Sequence, residues 1–492
     1  MAHPSSPFKS YDIRGLVGVE IDPPFAEKLA CALEEVVRPK TALVGFDMRE
    51  SSPVFAERLI RVLRAKGIDC LDIGLCTTTV FYAALTQNPE VDLGVMITAS
   101  HNPSAYNGFK LCRKQAVPIG FGSGMEGIRD AFVTNEQEYS SFVNSIPSTD
   151  ASLAGTCQKV ETALERYLSA VVEQLPDRGV ALKALPPRSL KIVIDAGNGM
   201  AGFSLPSLCE RFPALEVIPL YWELDGTFPN HEANPLNVST LAELQKRVVT
   251  EGALAGFAFD GDGDRIGVVD ETGEIVPGDM LTALLAKELL PSAPDALVFY
   301  DLRCSWSVPE TIREAGGRAE LCRVGHAHIK KQMREAGALF AGELSMHFYF
   351  SQFANCEASE YALLLFLGLL QKSNQPLSAL WKPLRRYHHS GEKNYHLVEP
   401  AASVLDRIRS TYAAQASAVS MIDGLRYEFR DPAQPEKDWW FSVRTSNTEP
   451  LIRLNLEAHT KEVMQEKIAE LECAIIGENG AAPSTHEHGS TR

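Results

Sequence analysis

The chain has 492 residues, of which 45% are hydrophobic and 22% charged, a balance typical of a globular protein with three or four domains. Its formal net charge of −16, without a Lys/Arg-rich run, argues against nucleic acids and anionic membrane surfaces as partners and leaves room for a small anionic substrate held by a local group of cations. Ten singly spaced cysteines, an N-terminus without an apolar signal core and no apolar run of membrane-spanning length predict a cytoplasmic protein with reduced thiols.

The first elements alternate short apolar runs with an amphipathic stretch. Thr41–Phe46 predicts a buried strand, and the sequence SSP at residues 51–53 then predicts a helix start with a serine N-cap and proline in the first turn. This helix ends by Gly67, and its apolar face carries Phe55, Leu59, Val62 and Leu63. Leu93–Ile97 predicts the next strand, so the alternation indicates an α/β organisation with at least partly parallel strands.

The same pattern restarts twice further along the chain. Leu190–Asp195 predicts a strand that runs into the turn-rich residues 196–202, and Thr240 with Glu243 fits a capping box before a helix. Residues 254–259 (LAGFAF) predict another buried strand, and residues 296–300 (ALVFY) begin a third unit. These restarts place domain boundaries near residues 150, 274 and 388.

The last segment has a different pattern. Residues 439–443 and Leu451–Ala458 are apolar runs that flank a polar loop. In the second run, apolar and polar residues alternate strictly, which predicts a strand with one face exposed to solvent.

Residues 260–265 (DGDGDR) carry the strongest chemical signal. Asp260, Asp262 and Asp264 repel one another unless a cation neutralises them, and the intervening glycines let one loop aim all three at a hard ion such as Mg²⁺. An EF-hand calcium loop is excluded because Arg265 stands at the position that needs glycine and the flanking residues are strand-like.

Three other polar segments each allow a functional and a purely structural interpretation when only their residues are considered. Residues 98–103 (TASHNP) follow a predicted strand, where α/β ligand sites lie, but they also suit an ordinary turn. Residues 444–450 (RTSNTEP) offer donors for a phosphate dianion or form a polar hairpin turn. Residues 342–347 (GELSMH) suit vicinal sugar hydroxyls or a water-facing strand.

Six segments in this order together resemble the α-D-phosphohexomutase superfamily, and most closely its bacterial phosphomannomutase/phosphoglucomutase branch, over roughly residues 11–459. The segments are YDIRG (11–15), TASHNP (98–103), YNGFK (106–110), DGDGDR (260–265), GELSMH (342–347) and RTSNTEP (444–450). The resemblance implies a heart-shaped protein with three similar α/β domains and a smaller C-terminal α+β domain. The expected boundaries are 1–150 with a phosphoserine loop, 151–274 with a metal loop, 275–388 with a sugar loop, 389–477 with a phosphate loop, and a disordered tail at 478–492.

The resemblance also implies a role for each matching residue. Ser100 carries the phosphoryl group, and Asp260, Asp262 and Asp264 hold Mg²⁺ together with Ser100. The reacting end of the substrate is lined by Arg14, His101, Lys110 and Arg265. The sugar side is formed by Glu343, Ser345, His347, His326 and Arg303. The non-reacting phosphate is held by Arg444, Ser446, Asn447, Thr448, Arg453 and Tyr11.

The implied reaction interconverts hexose 6-phosphate and hexose 1-phosphate through phosphoserine and a 1,6-bisphosphate, with Mg²⁺ as cofactor and hexose 1,6-bisphosphate as activator. Mannose phosphates are the favoured substrates, glucose phosphates are further substrates, and the expected assembly is a monomer or weak dimer. Three alternatives stay open: a phosphoglucosamine mutase, an inactive sugar-phosphate-binding protein, and a magnesium phosphatase using Asp260. The sequence departs from the family at Met346, at Arg303 and at residues 353–359, which lack an expected Asp-Gly pair.

Overall fold

The computed structural model describes residues 5–147, 149, 152–176, 190–445 and 451–476. The predicted disordered tail at 478–492 and the phosphate-loop residues Ser446, Asn447 and Thr448 therefore lie outside the described residues. Among the helices described, none is both long and apolar enough to cross a membrane. The described strands form four sheets, one in each of four successive domains.

The first domain contains a mixed sheet with strand order β1-β5-β4-β2-β3-β7, and β6 pairs with β5. Its strands are β1 (Ile13–Leu16), β2 (Thr41–Phe46), β3 (Asp69–Leu75), β4 (Leu93–Ile97), β5 (Tyr106–Arg113), β6 (Val117–Pro118) and β7 (Cys157–Lys159). Its helices are α1 (Pro23–Val37), α2 (Ser52–Ala65), α3 (Thr78–Gln87), α4 (Met125–Thr134) and α5 (Glu136–Ser145). β7 pairs with β3, so the first sheet takes in a strand that follows the expected boundary near residue 150.

The second domain follows helix α6 (Ala163–Glu173) and has strand order β12-β11-β10-β8-β9. Its elements are β8 (Leu190–Asp195), α7 (Ala201–Cys209), β9 (Leu215–Leu220), α8 (Ala242–Glu251), β10 (Ala255–Phe259), β11 (Ile266–Asp270) and β12 (Ile275–Val276). The capping box predicted before α8 is wrong. The Thr240 hydroxyl donates to the carbonyl oxygens of Asn234 and Asn237, and the Asn237 side chain accepts from the Ser239 amide.

The third domain has strand order β14-β13-β15-β16-β17. Its elements are α9 (Gly278–Leu289), β13 (Leu297–Asp301), α10 (Ser307–Glu314), β14 (Arg318–Cys322), α11 (His326–Ala336), β15 (Phe340–Gly342), β16 (Phe348–Phe350), β17 (Cys356–Glu357), α12 (Ser359–Ser373) and α13 (Leu377–Trp381). One apolar core cluster includes residues of all three α/β domains, such as Phe81, Phe257 and Phe348, and it packs them against one another.

The fourth domain has a fully antiparallel sheet, β18-β22-β21-β20-β19, and its own apolar core. Its elements are β18 (His388–His396), α14 (Ala401–Tyr412), β19 (Ala418–Ser420), β20 (Leu425–Phe429), β21 (Trp439–Thr445), β22 (Leu451–Ala458) and α15 (Lys461–Ile476). This α+β organisation agrees with the expected difference from the first three domains.

Two local predictions need correction. Helix α2 begins at Ser52 with its apolar face buried, but the Ser51 side chain does not cap it, because its hydroxyl accepts a hydrogen bond from Asn107 at 2.8 Å. Strand β22 is not half exposed, since its polar residues Asn455 and Glu457 are buried. Glu457 accepts hydrogen bonds from the Trp440 indole and, in the third domain, from the Trp306 amide, so the neighbouring domain covers the polar face.

The first three sheets share one internal order. Strands β5-β4-β2-β3, β11-β10-β8-β9 and β16-β15-β13-β14 occupy equivalent places. In each set the last three strands are parallel and the first forms an antiparallel hairpin with the second. The hairpin turns β4–β5, β10–β11 and β15–β16 are therefore equivalent positions in three repeated domains.

Candidate active site

The three equivalent turns meet at one place. Ser100 in the β4–β5 turn donates a hydrogen bond from its Oγ to Asp260 Oδ2 in the β10–β11 turn at 2.8 Å. Arg265, at the end of the β10–β11 turn, forms a backbone bridge with His347 of the β15–β16 turn and contacts its ring at 3.1 Å. Turns from three domains thus contribute a hydroxyl, carboxylates and cations to a single site.

We call Asp260, Asp262 and Asp264, together with Lys110, the acidic pocket. All three carboxylates are buried and can offer oxygen atoms within 4.8 Å of one another. Lys110 of β5 donates to Asp262 and to Asp264, each at 2.6 Å. The pocket holds more negative than positive charge. Gly261 lies so close to the Ser100 carbonyl oxygen that a residue with a β-carbon has no room there.

The excess of negative charge and the nearby lysine shift the pKa values of the three carboxyl groups in different directions. Burial, with the negative charges of Asp264 and Asp262, raises the pKa of Asp260 above its ordinary value. Although burial opposes ionisation, Lys110 holds the pKa of Asp262 below its ordinary value and that of Asp264 well below it. Asp262 Oδ1 is buried and receives no hydrogen bond from any residue the structure describes. These hard oxygen donors fit a divalent cation such as Mg²⁺.

The acidic pocket also depends on a residue that the sequence patterns did not identify. Thr78, the first residue of α3, donates from its hydroxyl to Asp262 Oδ2 at 2.6 Å, and its amide donates to the Asp262 carbonyl at 2.9 Å. The partners are 184 residues apart in the chain and belong to different domains. Thr78 is the middle of three consecutive threonines at a helix start, a pattern that gives no local signal of this contact.

Ser100 is held in an unusual backbone conformation. Its φ is +51°, in the left-handed region, and its hydroxyl lies 3.2 Å from His101 Nδ1. Arg49, also missed from the sequence, fixes this loop from behind. Its buried guanidinium donates to four carbonyl oxygens, of Ser100 at 2.8 Å, Asn102 at 2.6 Å, Pro103 at 2.9 Å and Tyr106 at 2.9 Å.

Further cations surround the serine. Arg14 Nη1 donates to Asn102 Oδ1 at 2.6 Å and to the Ala99 carbonyl at 3.3 Å, so it is anchored on the same loop. Burial, reinforced by the charges of Arg265 and Arg14, lowers the pKa of His101 well below its ordinary value. The imidazole next to Ser100 is therefore uncharged at neutral pH.

The β15–β16 turn brings the predicted sugar residues together. Glu343 accepts from the Tyr349 hydroxyl at 2.7 Å and from the Gly325 amide at 2.9 Å. His347 lies 3.3 Å from both Glu343 and Asp264, and Ser345 Oγ lies 3.1 Å from its Nδ1. Although burial and Arg265 oppose protonation, these two carboxylates raise the pKa of His347 to about 9.

The remaining predicted sugar residues lie beside this turn. Arg303 pairs with Asp301 at 2.6 Å and comes within 4.0 Å of Glu343. His326 begins α11, and its ring packs edge-on against Tyr11 of the first domain with centroids 5.8 Å apart. Tyr11 therefore lies beside the sugar-side histidine, and its hydroxyl donates to the Val324 carbonyl at 3.3 Å.

Two of the departures from the family pattern lie in well-packed surroundings. Met346 has φ +67°, a conformation that favours glycine, and its side chain is buried in the apolar core that includes Ile266. Its bulk is accommodated in the core. In residues 353–359, Glu357 forms a buried ion pair with Lys330 at 2.7 Å.

Two arginines of the fourth domain form a second charged cluster. Arg444 of β21 and Arg453 of β22 stand opposite each other, and both reach Glu392 of β18, at 3.0 and 3.3 Å. We call these three residues the basic clamp. Glu392 was not identified from the sequence, because one glutamate in a polar strand carries no signal.

The sequence matches one family along most of its length. Residues 5–138, 165–273 and 277–387 match the phosphoglucomutase/phosphomannomutase alpha/beta/alpha domains I, II and III, and residues 392–472 match the C-terminal domain of that family. A phosphomannomutase of Salmonella montevideo is 36% identical over 472 residues, which cover 93% of this chain and 98% of that protein. A phosphomannomutase of Methanocaldococcus jannaschii is 36% identical over 469 residues, covering 95% and 97%. A solved phosphoglucomutase/phosphomannomutase family protein from Burkholderia thailandensis is 30% identical in sequence. Its structure matches this one with a TM-score of 0.82, and the match covers 98% of this chain and 100% of that one.

Proposed function

This chain belongs to the phosphoglucomutase/phosphomannomutase family, a hexose phosphate mutase activity fits its site, and we propose that it interconverts mannose 6-phosphate and mannose 1-phosphate. Glucose phosphates are slower or comparable substrates. The choice of mannose rests on the phosphomannomutase relatives, because the hydroxyls that Glu343 and Ser345 would bind are oriented alike in the two sugars.

One observation carries the proposal. The Ser100 hydroxyl lies 2.8 Å from Asp260, the carboxyl group of the acidic pocket whose pKa is raised. The backbone of Ser100 is in the left-handed conformation. A phosphoryl group on that oxygen would be placed against the acidic pocket, where a divalent cation and Lys110 can neutralise it. A phosphatase that used Asp260 as its nucleophile would not need this serine.

In the proposed reaction, phosphoserine at Ser100 donates to the free hydroxyl of the bound hexose phosphate. The Oγ–P bond breaks, a bond from phosphorus to the sugar oxygen forms, and the proton of the sugar hydroxyl ends on Ser100 Oγ. We assign His101, whose Nδ1 lies 3.2 Å from Oγ, as the group that passes this proton on. Lys110 and Arg265 stabilise the charge of the transferring group. Mg²⁺, held by Asp260, Asp262, Asp264 and a phosphoserine oxygen, would supply further positive charge there.

The resulting hexose 1,6-bisphosphate reorients in the active site and then returns its other phosphate to Ser100. Arg444, Arg453 and the loop containing Ser446, Asn447 and Thr448 hold the non-reacting phosphate in both orientations, with Tyr11 nearby. Glu343, Ser345, His347, His326 and Arg303 contact the sugar, and Arg14 supports the reacting end. Hexose 1,6-bisphosphate activates the enzyme by phosphorylating Ser100.

We further propose the organisation that goes with this activity. The four domains occupy residues 1–150, 151–274, 275–388 and 389–477, and the protein is a cytoplasmic monomer or weak dimer. Hexose phosphates are its partners. The contact of β7 with β3 argues for moving the first boundary beyond residue 159.

Substitution of Ser100 tests the mechanism. Ser100→Ala is expected to abolish conversion of mannose 1-phosphate, whereas Ser104→Ala, at an exposed position of the same turn, should retain it. Peptide mass analysis after incubation with hexose 1,6-bisphosphate should find phosphate on Ser100. Unchanged turnover by Ser100→Ala, or a serine that is never phosphorylated, would contradict the phosphoserine mechanism.

A side-by-side measurement of kcat/KM for mannose, glucose and glucosamine phosphates tests the substrate. A tenfold preference for glucosamine phosphate, about 1.4 kcal/mol, would overturn the choice of mannose and leave the mutase mechanism standing. No conversion of any hexose phosphate, with Mg²⁺ and bisphosphate supplied, would instead indicate a sugar-phosphate-binding protein.

A further inference from the structure

The basic clamp holds an anion of its own. Arg444 and Arg453 are directly opposite in the β21–β22 register, where two like charges repel. Glu392 lies between them, with Oε2 accepting from Arg444 Nη2 at 3.0 Å and Oε1 accepting from Arg453 Nη1 at 3.3 Å. Oε2 also accepts from Asn455 Nδ2 at 3.4 Å. Each carboxylate oxygen thus binds one of the two arginines, as two oxygens of a phosphate would.

A third cation faces the same carboxylate from another domain. Although burial opposes ionisation, Arg303 of the third domain, followed by Arg444 and Arg453, holds the pKa of Glu392 below its ordinary value. Glu392 is therefore negatively charged at neutral pH. Its side chain is 23% exposed, so the carboxylate can be hydrated by solvent when its ion pairs with the arginines break.

We propose that Glu392 is a specificity-determining residue that competes with the substrate phosphate for the basic clamp and promotes its release. The proposal rests on the proposed function, in which the clamp binds the non-reacting phosphate. A phosphate dianion brings two negative charges and three oxygens against one charge and two oxygens, so it displaces Glu392. A singly charged ligand gains little by the exchange, so the clamp selects dianions.

Competition between Glu392 and the phosphate suits a reaction in which the bisphosphate intermediate must reorient in the site. The clamp has to release one phosphate and then bind the other. A tethered carboxylate is present at high local concentration, so it returns to the arginines whenever the phosphate departs. When the phosphate leaves, Glu392 again pairs with both arginines, and Arg444 also keeps a second carboxylate, Asp423, at 3.6 Å.

Binding of inorganic phosphate tests the proposal by the sign of the effect. Calorimetry at pH 8 should show that Glu392→Gln binds phosphate about fivefold more tightly than the wild type, the order expected for removing one partly exposed like charge. In mannose 1-phosphate turnover, KM and kcat should both fall, because binding tightens and release slows. The matched control is Glu399→Gln, which removes the partner of Arg407 elsewhere in the fourth domain and should leave phosphate affinity unchanged.

Two further variants assign the effect to the clamp. The gain in phosphate affinity should vanish in an Arg444→Ala background, and Glu392→Asp, which keeps the charge, should bind phosphate no more tightly than wild type. Phosphate binding that is weaker, unchanged or absent in Glu392→Gln would overturn the inference and indicate that Glu392 only holds the arginines in place. Failure of the proposed function would appear separately, as wild-type protein that converts no hexose phosphate.

Discussion

The acidic pocket and the basic clamp are built on the same plan with opposite signs. In the acidic pocket three carboxylates share Lys110, and in the basic clamp two arginines share Glu392. In each cluster the like charges are partly neutralised by one side chain of opposite charge, Lys110 or Glu392. That side chain occupies the place where a ligand of the same charge as itself, a metal cation or a phosphate, would bind. We therefore expect binding at each cluster to exchange an internal ion for an external one.

The two regions differ in burial. Lys110 and its partners are at most 6% exposed and its ion pairs are 2.6 Å long, whereas the clamp side chains are between 11% and 37% exposed and their pairs are longer. Unpaired buried charges are far more costly than exposed ones, which water and salt screen. The lysine should therefore matter most for stability, and the glutamate most for ligand selection.

Removal of Lys110 should give the largest effect. Lys110→Met leaves the buried carboxylates without their cation, so the metal-free protein should lose roughly 3–5 kcal/mol of stability. Mg²⁺ should raise the melting temperature of this variant more than that of the wild type, because the metal replaces the lost cation. Thermal unfolding with EDTA and with Mg²⁺ measures both.

Arg426→Met is the control for that experiment. It also removes a buried cation, which pairs with Glu428 at 3.1 Å, but it lies in the fourth domain. Mg²⁺ should not restore its stability. Equal rescue of the two variants, or none for Lys110→Met, would show that Lys110 does not substitute for a metal ion.

Arg49 extends the comparison to a buried cation whose partners are mostly carbonyl groups. Arg49→Lys keeps the charge but loses the fork that holds the Ser100 loop, so kcat should fall about 100-fold through misplacement of the serine, with Mg²⁺ affinity unchanged. Steady-state kinetics and Mg²⁺ titration separate these effects. A fall in Mg²⁺ affinity equal to the fall in kcat would place the role of Arg49 in the acidic pocket.

Thr78 tests whether the acidic pocket needs help from the first domain. Thr78→Val removes the hydrogen bond to Asp262 at nearly constant volume, and Mg²⁺ affinity should weaken about tenfold. Thr78→Ser keeps the hydroxyl and should bind Mg²⁺ like the wild type. Equal affinities in all three proteins, measured by calorimetry, would mean that Lys110 alone positions the carboxylate.

The smallest effect is expected at the clamp and depends on pH. Because the arginines hold the pKa of Glu392 below 4.5, against the effect of burial, its stabilisation is present above that pH and is lost as the pH falls through the lowered value. Glu392→Gln should therefore be about 0.5–1 kcal/mol less stable than the wild type at pH 7, and the difference should shrink towards pH 4. Urea denaturation at the two pH values measures it, and a pH-independent difference would assign the loss to packing.

The sequence was most informative where a group of functional residues is contiguous. DGDGDR places three carboxylates on one turn, so the acidic cluster followed from spacing alone, and the order of six short segments indicated the repeated domains. Arg49, Thr78 and Glu392 were not predictable, because the partners of each come from distant parts of the chain. The predicted exposure of β22 was wrong for the same reason, since Trp306 of another domain covers it.

The equivalent turns of the three repeated sheets have a consequence for how the protein loses activity. Each turn belongs to a different domain, and the Ser100–Asp260 hydrogen bond joins two of these domains. A domain rotation too small to expose any core would separate donor from acceptor by more than a hydrogen bond tolerates. Turnover should accordingly decay at temperatures where circular dichroism is still native, so that misalignment, rather than melting, sets the upper working temperature.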